Sequence, residues 1–182
     1  MLIRNKWYKK KSRSISDISS AIAFINWRIA KDAIEDLINE DFYLKKPEVF
    51  AIIAEYLYFL IQCTDRLIVD KFEFEGRKKI IVQLAKYSAQ HFQENKAADM
   101  AEGEYYLDFL QTFNKRTEHY SKFDFMDGEP NNNFLCYFGE KIKEIVSEKD
   151  KKWIAQQMIE IQAPKAFEKL KESVNNLTKN KS

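Results

Sequence analysis

Asp65 is the residue in this chain whose type and position most demand chemistry. It extends a row formed by Tyr58, Ile61, Ile68 and Phe72 on an otherwise apolar helical stretch, and a carboxylate buried in such surroundings must find a partner. Arg66 is adjacent and diverges around a helix, so it is expected to bond Asp70 one turn on. The donor for Asp65 must then come from elsewhere, with Arg28, Arg77, Arg116 or a tyrosine hydroxyl as candidates. Two readings follow. One is a buried polar network that fixes helix register. The other is the polar floor of a ligand pocket bounded by Tyr58, Asp65 and His91, with Tyr56, Phe59 and neighbouring aromatics as its wall.

The two histidines could relay protons or respond to pH. His91 continues the row Ile80, Leu84 and Tyr87 at the edge of an apolar face, while His119 follows Arg116 on a more polar one. A helical di-metal carboxylate site needs paired Glu-x-x-His motifs. Here His91 is followed by Glu94 in the reverse order, and Glu118 sits next to His119, roughly 100° away around the helix. Gly-rich phosphate loops, a GxSxG elbow and kinase signatures are absent from the sequence. The sequence therefore assigns no catalytic residue, no metal ligand and no cofactor, and leans away from an enzyme.

A second chemical feature lies at the start of the chain. Residues 1–13 carry Arg4, Lys6, Lys9, Lys10, Lys11 and Arg13 without an acid, interleaved with Trp7 and Tyr8. Basic and aromatic residues in alternation suit stacking on nucleic acid or contact with an anionic membrane surface. These are 6 of the 30 basic residues, so the remaining 24 face 28 acids and the rest of the chain is mildly acidic.

Positioning such groups falls to helices. Glycine (4) and proline (3) are scarce among 182 residues, too few for a sheet with many tight turns. Ser14 and Asp17 form a capping box, after which Ile15, Ile18, Ile22, Ile25 and Ile29 repeat every three or four positions. Pro47 and Glu48 open a second helix to about Lys71, apolar on most sides between Val49 and Cys63 and therefore central. Glu55 and the polar residues from Gln62 onward make that run too interrupted to span a bilayer. A third helix carries Ile80, Leu84 and Phe92, and a fourth runs from about Met100 to Phe123. Residues 126–133 are the strongest loop signal, with Asn133 capping a fifth helix. Ser147 starts another through Trp153, Ile154, Met158 and Ile161, and Pro164 kinks it or begins a last one bearing Phe167, Leu170, Val174 and Leu177.

The expectation is an all-α, compact single-domain bundle of about six or seven helices around a central apolar helix. Its parts are a basic tail (1–13), the bundle (14–178) and a frayed end (179–182). Cys63 and Cys136, far apart in sequence and free of metal-ligand spacing, fit a reduced, cytoplasmic compartment. The basic start lacks a convincing cleavage site, so no signal peptide is expected. Three functions compete. The first is a non-enzymatic interaction module that binds itself or another protein through the Ile15–Ile29 seam. The others are a small-molecule or lipid-binding protein, and attachment of the tail to a nucleic acid or membrane surface.

Overall fold

The computed structural model describes residues 13–179. Seven α-helices account for most of them: α1 (Ile15–Asn39), α2 (Lys46–Leu67), α3 (Phe74–Asp99), α4 (Tyr105–Tyr120), α5 (Asn132–Lys143), α6 (Lys151–Gln157) and α7 (Ala163–Thr178). The expected all-α single-domain bundle is what forms. Of the basic tail, Lys6, Trp7, Lys9, Lys10 and Lys11 lie outside the described residues; Arg13 lies inside, exposed, donating to the Leu177 carbonyl at 3.2 Å. The expected fraying of 179–182 likewise falls outside from residue 180 on.

α2 is the centre. Its buried residues run without a break from Ile52 to Thr64, because α1, α3, α4, α5 and α7 all pack around it. The 22-residue helix contains an 18-residue stretch long and apolar enough to cross a membrane, but 78% of that stretch is buried inside the bundle. Its aromatic side chains meet α5: Phe59 stacks on Phe138 at 4.5 Å between centroids, and Tyr56 meets the same ring edge-on at 4.9 Å. Such pairings add to the burial of the rings.

α1 runs in the same direction as α3. Ile15 shares one groove with Gly76 and Arg77, and Trp27 to Glu35 share another with Asn95 and Asp99. Small residues line both helices, Ala23, Ala30 and Ala33 on α1 and Ala85, Ser88 and Ala89 on α3, all buried. The expected exposed seam is corrected on a different side of α1: Ile18, Ile22 and Ile29 are buried in the core, Ile15 and Ile25 pack against it half-buried, and Ile25 and Ile29 share grooves with Lys169 and Ala166 of α7. Most of the hydrophobic area on that face is removed from water inside the chain. Asn26 lies fully buried on the same side of α1, its amide bonded to no protein group among the described residues.

Local signals are legible at most joints. The Ser14–Asp17 capping box forms as read. Helix α1 ends with Phe42 N–H bonded to Leu37 O (3.1 Å) and Asp41 N–H to Ile38 O (3.2 Å), a Schellman arrangement that puts Asp41, rather than glycine, in the left-handed region at φ 65°. The loop signal at 126–133 contains a miniature hairpin, Phe125–Met126 paired with Glu129–Pro130 across Asp127 and Gly128. Both turn residues have positive φ, as a two-residue turn between twisted strands requires. The α5 cap is Asn131, two residues before Asn133: its Oδ1 accepts from Phe134 N–H at 2.9 Å.

α6 and α7 are one continuous helical run joined by a π-turn at Met158–Gln162. Pro164 has no N–H to give to the preceding turn, and Ala163 N–H reaches Met158 O, five residues back. The wider turn accommodates one extra residue, which shifts the buried stripe beyond it, so that Gln162 points inward and Ile161, expected on the apolar stripe, is exposed; Trp153, also expected there, lies before the turn and is exposed beside the buried Ile154. Gly139 on α5 makes room for this stretch, since a Cβ there would stand 2.8 Å from Ile159 and 3.1 Å from the Ala155 carbonyl.

Candidate functional site

One face of α2 is polar. Glu55, Tyr58, Gln62 and Asp65 recur at helical spacing and face α4 and the start of α3. At one end Glu55, nearly buried, accepts three hydrogen bonds from Arg116 on α4, Nε at 3.1 and 2.9 Å and Nη2 at 2.6 Å. That bonding pushes the Arg116 guanidinium further above its ordinary range, against the opposing effect of burial. Next along, the Tyr58 hydroxyl is directed at Thr112; burial first, then the Glu55 charge, push it above the usual phenol value. Gln62 donates to Thr117 at 2.7 Å. At the far end Arg77 grips Asp65 with Nε at 2.7 Å and Nη2 at 2.6 Å, and Arg66 adds a third bond at 2.9 Å.

Of the donors the sequence offered for Asp65, Arg77 is the one used. Arg66 departs from expectation by bonding its neighbour Asp65 and the Tyr120 carbonyl (3.4 Å) rather than Asp70. Asp65 is thus consumed in an ion-pair network, and its partner Arg77 is held above its ordinary pKa by that bonding.

Tyr58, Asp65 and His91 do not share a pocket. Tyr58 alone lines a cavity of about 240 Å³ between α2, α3 and α4, whose other lining includes Ala51, Glu55, Phe92, Lys96, Tyr105, Asp108, Phe109 and Thr112. Its aromatic wall is continuous: Tyr58 and Phe109 lie 4.7 Å apart, and Phe109 and Phe92 5.3 Å. The Lys96 ammonium sits 4.3 Å from the Tyr105 centroid and 5.3 Å from that of Phe92. Burial lowers the Lys96 pKa, with Asp108 opposing. His91 stands one residue before Phe92, half-buried and off the cavity lining. His119 is exposed, stacked on Tyr137 at 5.6 Å, with Nδ1 2.8 Å from the Lys115 carbonyl.

Glu55, Lys96 and Asp108 are site residues that the sequence did not single out, and Arg116, a candidate donor for Asp65, bonds Glu55 instead. Glu55 was legible, because it stands one helical turn before Tyr58 and two before Gln62. Lys96 and Asp108 carry no such signal, since their meeting depends on how α3 and α4 fold back on each other. Among the described residues no group of three His, Cys, Asp or Glu side chains could hold a metal ion. Cys63 is fully buried, and that burial pushes its thiol well above the ordinary value despite Arg66, the reverse of what a nucleophilic cysteine requires.

The fold and site together define a class: an all-α single-domain bundle with an aromatic-walled cavity beside a polar helix face. Comparison with family models, with curated proteins and with solved structures gives no match.

Proposed function

We propose that this chain is a non-catalytic helical protein that binds a small molecule in the α2/α3/α4 cavity. The observation that carries the reading is the wall itself. Tyr58, Phe92, Tyr105 and Phe109, contributed by three helices, line an open groove of about 240 Å³ together with Lys96 and Asp108, a small site that combines aromatic surface with a few charged groups. A ligand that prefers the folded chain must stabilise it, by about 2.7 kcal/mol at a hundredfold excess over Kd, or roughly 5–10 °C in Tm for a chain of this size. A thermal-shift screen across amino acids, nucleotides, aromatic acids and fatty acids is expected to yield such a shift from at least one class, abolished by Ala51→Trp, which fills the hollow. Silence from every class would remove the reading.

A second reading keeps the self-association expected from sequence but moves its surface. A groove of about 320 Å³ between α1, α2 and α3 has an apolar floor of Trp27, Ile34, Val49, Phe50 and Ile53, with Lys31, Lys46, Glu35 and Asp99 around it. Charges of both signs on one rim suit a second copy related by a two-fold axis. Light scattering should then give a dimer mass that drops to monomer for Val49→Glu. A monomer at every concentration excludes it.

A further inference from the structure

The cavity holds two opposite charges that do not satisfy each other. Lys96 projects from the last turns of α3 and is pinned over the Tyr105 and Phe92 rings; among the described residues no carboxylate reaches it at ion-pair distance, and Asp108 acts on it only through space. Asp108 occupies the first turn of α4 at the cavity mouth. Glu55 does not compete, because both of its oxygens are taken up by Arg116.

We infer that the cavity recognises a zwitterion with an aromatic body, an aromatic amino acid being the simplest such molecule, its carboxylate set on Lys96 and its ammonium on Asp108. This rests on the small-molecule reading above. A plain anion would gain Lys96 but face Asp108; a plain cation would gain Asp108 but face Lys96. Only a molecule bearing both charges pairs the half-buried Lys96 and the exposed Asp108 together, and charge-assisted hydrogen bonds are stronger than neutral ones. The body then lies against Tyr58 and Phe109, where offset or edge-on ring contacts are available.

The experiment uses the full chain and four probes: phenylalanine, phenethylamine, 3-phenylpropionate and toluene. Calorimetry gives affinities, and amide shifts at Tyr58, Phe109 and Thr112 report occupancy of the cavity. Phenylalanine should bind at least about tenfold tighter than either singly charged analogue, the worth of one charged hydrogen bond. Lys96→Met should erase the advantage over phenethylamine, and Asp108→Asn the advantage over 3-phenylpropionate, with unliganded melting midpoints showing that both variants fold. If a singly charged probe or toluene binds as tightly as phenylalanine while moving those amides, the zwitterion inference is overturned and the cavity remains a binding site. If none of the four moves them but a compound from the thermal-shift screen does, the inference alone is again overturned. If nothing moves them, both ideas fall together.

Discussion

Replacing Arg116 by methionine should destabilise the fold by about 3 kcal/mol, the lower end of the range for breaking a buried ion pair. The lower end applies because the Arg116 side chain keeps 20% of its surface in solvent while that of Glu55 keeps only 8%. The loss comes from the partner left behind. With its three donated hydrogen bonds removed, the Glu55 carboxylate stays among Tyr58, Phe109 and Ala54 without the charge that made its burial tolerable. Denaturant unfolding at neutral pH measures the loss. Adding Glu55→Leu should restore most of the stability, because removing both partners leaves no orphaned charge. A double variant as weak as Arg116→Met alone would show that the arginine acts through packing instead.

The largest loss is expected from Phe138→Ala, about 3–5 kcal/mol. This ring is fully buried and is the point where α5 meets α2, stacked on Phe59 at 4.5 Å and met edge-on by Tyr56 at 4.9 Å. Its neighbour Gly139 already lies against the Ala155 carbonyl and Ile159, so the backbone has little freedom to close over the vacancy, and the cost of truncation grows with the cavity that persists. Tm and urea midpoints check the size of the effect; a loss below about 1 kcal/mol would mean that α5 rearranges to fill the space.

Where structure follows from neighbours in sequence, the residues declare it. The Ser14–Asp17 box, the proline near the start of α2 and the isoleucine rhythm of α1 each answer to forces acting within one or two turns. The face of α2 that carries Glu55, Tyr58 and Gln62 was equally periodic, yet it was masked by the apolar residues between them; burial on all sides makes a helix's polar row hard to see. Two other features were out of reach for a different reason. The π-turn before Pro164 inserts one residue and swaps Ile161 for Gln162 on the inner face, so a single period cannot be carried across it. The seam of α1 looked available to a partner because sequence gives the apolar face of a helix without saying that α7, far along the chain, lies against Ile25 and Ile29. Likewise, Lys96 and Asp108 become neighbours only through the packing of α3 against α4.

The hydrogen bond from Arg13 to the Leu177 carbonyl has a topological meaning. The first and last segments of the described body lie side by side, so the path of the backbone is nearly a closed loop. A short peptide joining these segments, with the chain reopened between Asp127 and Gly128 in an exposed turn, would give a circular permutant in which no helix is cut.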